Sequence, residues 1–276
     1  MIDLPLTAVA PGPNSIAWRV IGDRRALLSA GRALLLQVAH PVVGSGVIDH
    51  SNFQLDPWGR LRRTIDSLLA QVYGGAAATA EAARLISLHR GIKGTDLRGQ
   101  YYSALDPEAY AWVHLTIFDT AVRFRPYFAA PLTPDEELQF YAEWRELGRL
   151  LGIPDEYLPF TLAEFWSYFE HNLEHRLEKN QAVHELLNSL SGEGTPPPYG
   201  WIPSFVWRGV APLAGRINRL ATIGLLPVSL RDRWGLPWST ADQRRLCLLS
   251  AVVRFVFARL PLRWRYFSVA ARAIAK

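Results

Sequence analysis

Seven histidines carry most of the chemistry open to this chain: His40, His50, His89, His114, His171, His175 and His184. Other reactive classes have no motif behind them. No Gly-x-Ser-x-Gly supplies a hydrolase nucleophile elbow. Neither Gly-x-Gly-x-x-Gly nor a P-loop pattern supplies a phosphate cradle. His114 is set apart by its surroundings, Ala111-Trp112-Val113-His114-Leu115-Thr116-Ile117. A histidine on so apolar a segment must satisfy its ring nitrogens or ligate something. It is therefore read either as a core histidine bonded to a neighbour or as an axial ligand in an apolar pocket.

His171 and His175 stand four apart beside Glu170 and Glu174. That spacing puts both imidazoles on one helical face, where they could reach one metal. Two ligands do not make a site, and Asn172 holds the position where His-Glu-x-x-His places its general base. The charged segment also suits a solvated face. Arg60, Arg63 and Thr64, within Arg60-Leu61-Arg62-Arg63-Thr64, share one side of a helix. They form a donor row for carboxylates or for bound oxygen, or else a solvated basic face. His40 precedes Pro41 at the end of an apolar helix, and His50 sits in the loop beyond; either can line a pocket or act as a structural cap. From Val253 to Lys276, Arg alternates with Phe, Trp, Leu and Tyr. This pattern reads as a packed terminal helix with snorkelling arginines, or as peripheral membrane contact.

The elements that must position these groups are helices. Residues 1–14 form an apolar, Pro-rich arm. A helix capped by Asp23 runs to about Val38 and is ended or kinked by Pro41. A Gly-containing turn is expected at Gly44 and Gly46. Asp56-Pro57 opens a helix to Tyr73, and Asp106-Pro107 opens another from Glu108 to Phe124. Between them lie a helix over Ala76–Arg90 and a loop over Gly91–Tyr102. Thr133-Pro134 starts a helix to Leu151, followed by helices near Leu162–Asn180 and Gln181–Leu190. Residues 191–203, with three consecutive prolines, read as a surface loop. Helices then occupy Phe205–Ile223, Leu230–Arg233, Ala241–Arg259 and Leu262–Ala275. No segment alternates as a strand does. The chain is thus all-α, a single domain of 1–276 built as a bundle of roughly eight to eleven helices. Residues 14–190 carry the candidate site, and 204–276 add core helices behind the 191–203 loop.

Composition narrows the partners. The net charge of +5 comes without a Lys/Arg run, so nucleic acid is not expected. Cys247, the single cysteine, lies in an apolar helix and is read as a buried, inert thiol. It can form no internal disulfide, in keeping with a reducing, cytoplasmic setting. No signal peptide is evident at the N-terminus. The longest apolar stretches fall well short of the ~18 residues of a spanning helix. Ten Trp, ten Tyr and twelve Phe suit an apolar pocket for a hydrophobic small molecule.

The ordered set of motifs is specific. Leu34-Leu35-Leu36-Gln37-Val38-Ala39-His40-Pro41 leads to Gly46-Val47, His50-Ser51 and Phe53. Asp56-Pro57, Arg60-Leu61 and Thr64 follow, and then Asp106-Pro107 with Trp112-Val113-His114. Leu151-Gly152-Ile153-Pro154, Leu226-Pro227, Arg231 and Arg272 complete the series. In this order they resemble the family of rubber oxygenases (latex-clearing proteins) and mpaB-type oxygenases, over about Arg24 to Arg272. The resemblance implies an all-α fold around a pocket for haem b, with a helix-borne histidine as axial iron ligand. His114 looks like that position. The family's distal stretch Arg-x-x-Lys-Thr is matched by Arg60, Arg63 and Thr64, with arginine where the family has lysine. Arginine keeps its proton, so a resting state closed by that side chain on iron is not expected here. His40 and His50 become candidates for the distal side or the surroundings of the haem. The implied reaction is oxygen insertion or oxidative C=C cleavage on a prenyl chain or aromatic ring, with O2 as co-substrate. A haem- or lipid-binding protein without catalysis, and a non-haem metal enzyme on His171 and His175, are the other readings. Oligomeric state is left open.

Overall fold

The structure, a computed structural model, describes residues 9–51, 56–190 and 195–275. Side-chain caps start half of the described α-helices. α1 (Ile16–Ile21) starts where the Ser15 hydroxyl accepts from Trp18 N. The Glu143 carboxylate, from a distant helix, also accepts from the Ile16 and Ala17 amides at 3.1 and 2.8 Å. α1 was not foreseen: it is only six residues long, and beyond the Ser15 cap its support comes from a distant helix. Asp23 caps as expected, but the first turn after it (Arg24–Ser29) is 3-10, and α2 follows (Ala30–Val38).

Pro41 opens a new helix, α3 (Pro41–His50), bent by 104° from the segment before it. The turn expected at Gly44 and Gly46 is therefore incorrect: both glycines are helical. Gly44 is there for close approach, since a Cβ would sit 2.4 Å from Asn180 Nδ2 and 2.6 Å from the Val38 carbonyl. α4 (Pro57–Tyr73) and α5 (Ala77–His89) form a hairpin of helices. The loop expected over Gly91–Tyr102 instead holds most of a small antiparallel pair, β1 (Lys93–Thr95) and β2 (Tyr101–Ser103), with Gly94 opposite Tyr102.

α6 (Pro107–Phe128) is the central element, capped by Asp106 and buried along most of its length. α7 (Pro134–Leu150) begins with a full capping box between Thr133 and Glu136. α8 (Leu162–His175) stops five residues before Asn180, short of expectation. The chain there is drawn out to pair with α2: Glu178 N donates to the Ala39 carbonyl, and Asn180 Nδ2 to that of Val38. Asn180 then caps α9 (Gln181–Ser189). Of the surface loop, residues 191–194 lie outside the described residues, as do 1–8 of the N-terminal arm and Phe53 of the motif series; 195–203 contain no helix.

α10 (Ser204–Leu225), α11 (Val228–Trp234) and α12 (Thr240–Arg259) follow. The last helix expected is split into α13 (Leu262–Arg265) and α14 (Ser268–Ile274). The break is where Tyr266 bridges to Asp23 and Phe267 N donates to the Gly22 carbonyl. The fold is all-α, with fourteen α-helices among the described residues against the roughly eight to eleven expected. The excess comes from short helices and from the divisions at Pro41 and Tyr266. Cys247 is exposed, not buried, because α12 turns most of its surface outward. No single described helix is long and apolar enough to cross a membrane.

Candidate functional site

α6 carries His114 into the core, where the ring is 5% exposed. Two reciprocal hydrogen bonds clamp it to α7. His114 Nε2 lies 2.8 Å from the Trp144 carbonyl oxygen, and Trp144 Nε1 donates to the His114 carbonyl at 3.0 Å. The two rings stack with centroids 4.8 Å apart and planes 9° off parallel. Burial pushes the imidazole pKa down to about 4, with the Trp144 carbonyl opposing the shift. The ring is therefore neutral near pH 7. A carbonyl can only accept, so Nε2 carries the proton and Nδ1 keeps the lone pair. Gly148 makes room for this arrangement: a Cβ there would come within 3.0 Å of Nε2.

The same geometry predicts an acid-linked loss of stability in the chain without ligand. A folded-state pKa below the unfolded 6.5 stabilises the fold fully above that pH, and the contribution disappears as pH falls through about 4. The interval corresponds to about 3 kcal/mol. His40 and His89, both lowered chiefly by burial, add to the same slope. Urea midpoints measured from about pH 7 down to about pH 4.5 should fall, and His114→Gln should flatten the profile. A wild-type midpoint that does not move over that range contradicts the assignment.

His40, at the junction of α2 and α3, is also buried, at 3%. Neither of its ring nitrogens has a hydrogen-bond partner among the described residues. Leaving such a group unsatisfied costs about 1–3 kcal/mol, which marks the position for a ligand or an ordered water. Burial lowers its pKa; Glu108 pushes the other way, while Arg176, ion-paired to Glu108, pushes down. His50 is exposed at the end of α3, edge-on to Tyr102 at 6.3 Å.

The α4 residues separate by burial. Arg60, in the first turns, is half-buried, and no hydrogen bond or ion pair holds it among the described residues. Burial, then Arg63, lowers its pKa. Arg63 is exposed and pairs with Asp56 at 3.1 Å, and Thr64 is exposed. No hydrogen bond, ion pair or ring contact joins any of these three to His114. What the structure does bring together is α2 and α6. Trp112 Nε1 donates to the Leu36 carbonyl at 2.9 Å, four residues before His40, and Gln37 Nε2 reaches Thr116 Oγ1 at 3.2 Å. Beside His114, Tyr110, Val113 and Ile117 are only half-buried, a stripe at helical spacing on an otherwise enclosed helix. His171 and His175 sit together on the exposed face of α8, ring centroids 4.7 Å apart. Among the described residues no group of three or more His, Cys, Asp or Glu is placed to hold a metal ion.

Sequence reasoning missed two parts of this region. Trp144, thirty positions from His114, gave no sign of being its partner. Arg32, 1% exposed, donates to the Leu225 carbonyl at 2.7 Å, to Thr120 Oγ1 at 2.7 Å, and to the buried Asp119 carboxylate. That network ties α2, α6 and α10 behind the site. The available signal was an arginine and an aspartate each set in an apolar helix.

Comparison with known proteins gives one family. Residues 18–256 match the model described as "ER-bound oxygenase mpaB/B'/Rubber oxygenase, catalytic domain". Two relatives are the uncharacterized proteins Mb2261 of Mycobacterium bovis and Rv2237 of Mycobacterium tuberculosis. Each is 27% identical to this chain over 235 residues, covering 83% of this chain and 88% of the relative. No solved structure matches the chain.

Proposed function

The chain belongs to the mpaB/rubber oxygenase catalytic-domain family, and from that premise we propose that it is a haem-b-dependent oxygenase acting with O2 on a hydrophobic small molecule. A prenyl chain or an aromatic ring is the substrate class in keeping with the aromatic-rich composition. The observation that carries the reading is the buried, neutral imidazole of His114, oriented by the Trp144 carbonyl and ring. A metal-ligating histidine is commonly fixed by donating its other ring N–H to a carbonyl.

The residues present fit a haem by donor chemistry. His114 offers the Nδ1 lone pair as it stands, or Nε2 if the Trp144 hydrogen bond is exchanged for iron. Arg60, a half-buried cation without an acidic partner, suits a propionate. Haem, when bound, supplies the activation of O2 for oxygen insertion or C=C cleavage. The chain's own residues do the rest. His114 would hold the iron, and the half-buried stripe of Tyr110, Val113 and Ile117 would offer apolar wall. Arg63 and Thr64, one helical turn beyond Arg60, would add hydrogen-bond donors on that side of α4 once Arg63 leaves Asp56. His50, exposed at the end of α3, would lie on the solvent side of the site.

One observation favours a second ligand assignment. Among the described residues His40 has both nitrogens unengaged, whereas Nε2 of His114 is already bonded. In this version His40 holds the iron and His114 stays a core histidine.

Oxygen uptake tests the activity. Hemin-loaded, reduced protein should consume O2 faster with a prenyl alkene such as farnesol than without it. Uptake that is indifferent to farnesol, to longer prenyl chains and to phenols would leave a haem carrier without catalysis.

A further inference from the structure

We propose that the face built from α10 and α12 seats on an anionic lipid bilayer, with the helices lying on the membrane and not through it. α12 is twenty residues long, yet only Leu246 and Ser250 are buried. Leu248, Val252, Phe255 and Val256 are exposed at i, i+4, i+7 and i+8, one stripe of the helix. Phe255 is 60% exposed. α10 packs beside α12 and repeats the pattern, leaving Val206, Val210 and Leu213 exposed along one side. Two exposed apolar stripes on neighbouring helices mark an interaction site.

Charge chooses the occupant. From residue 195 to the end, twelve arginines and one lysine face two aspartates, Asp232 and Asp242. The rest of the chain is therefore net acidic, and the basic character is concentrated here. Arg208, Arg216 and Arg219 on α10 and Arg244 and Arg254 on α12 are exposed and join no ion pair among the described residues. A second copy would bring two such cationic faces together, which repel. A nucleic acid would pair the arginines but leave the valines, leucines and Phe255 with nothing apolar to bury against. An anionic bilayer answers both features. Arginines reach lipid phosphates while the apolar stripe enters the boundary between headgroups and acyl chains. Arg259, stacked 3.4 Å over the Phe255 ring, already shows the snorkelling arrangement. The inference does not depend on haem.

Flotation of the full chain with vesicles tests it. Vesicles of phosphatidylcholine and phosphatidylglycerol at about seven to three should carry the protein, and pure phosphatidylcholine should not. Raising salt from about 0.05 M to about 0.5 M should release it. The double variant Val252→Ser/Phe255→Ser and the double variant Arg244→Glu/Arg254→Glu should each bind roughly tenfold more weakly. All four positions are exposed, so unchanged circular dichroism and Tm confirm that each variant is folded. Failure to float with the anionic vesicles overturns the proposal. So does binding that both folded variants retain. A concentration-dependent dimer, measured by light scattering and abolished by Val252→Ser/Phe255→Ser, assigns the stripe to a second copy instead.

Discussion

Replacing Arg32 by alanine is expected to lower the unfolding free energy by about 3–5 kcal/mol, the usual cost of removing one partner from a buried ion pair. That is a large share of the ~5–15 kcal/mol available to a typical domain. The guanidinium satisfies the Leu225 carbonyl, Thr120 Oγ1 and the Asp119 carboxylate together. Asp119 is fully buried, and burial already pushes its pKa up against the pull of Arg32. Without Arg32 the nearest cation is Arg123 at 3.8 Å, so the carboxylate must take up a proton or open the core. The double variant Arg32→Met/Asp119→Leu removes both charges and should recover much of the loss. Urea unfolding of Arg32→Met, Asp119→Leu, the double variant and wild type gives the coupling. A loss under about 1 kcal/mol for Arg32→Ala would show that the network does not hold α2, α6 and α10 together.

The second large effect is on cofactor retention. His114→Ala is expected to abolish or markedly shift the Soret band of the hemin-loaded protein. It should also cost about 2–4 kcal/mol of stability, from a core cavity and the unsatisfied Trp144 carbonyl. Because instability alone can release a cofactor, the decisive variant is His114→Gly supplied with free imidazole. Return of the band identifies an iron ligand; a merely structural histidine gives no return. The same pair of experiments at His40 separates the two assignments. If only His40→Gly responds to imidazole, the iron sits on α3's capping residue, and His114 is the core histidine that its Trp144 contacts already describe.

Much of the fold was legible because the local chemistry is strong. Asp56-Pro57, Asp106-Pro107 and Thr133-Pro134 each open a helix as the cap-plus-proline signal requires. The errors lie where distant contacts override local preference. Glu143 caps α1 across 126 positions or more. Residues 176–180 extend to pair with the end of α2, and Tyr266 leaves its helix to bridge Asp23. Gly44 looked like a turn residue, but it is a helical residue on which Asn180 packs.

The candidate site divides in the same way. His114 was legible as a polar group on an apolar helix, and family resemblance gave it a role. Its stacking partner, the Gly148 space beside it and the unpartnered nitrogens of His40 are tertiary facts with no counterpart in spacing. Arg60, Arg63 and Thr64 share a helical side as read, yet burial differs within one turn, because only Arg60 reaches inward.

The most direct measurement is an absorption spectrum of the wild-type chain titrated with hemin, before and after dithionite. The account predicts an intense Soret band that saturates at one hemin per chain and shifts on reduction, as expected for iron held by a protein imidazole. Spectra indistinguishable from free hemin at every ratio would contradict it, and would leave the His114–Trp144 pair as core packing.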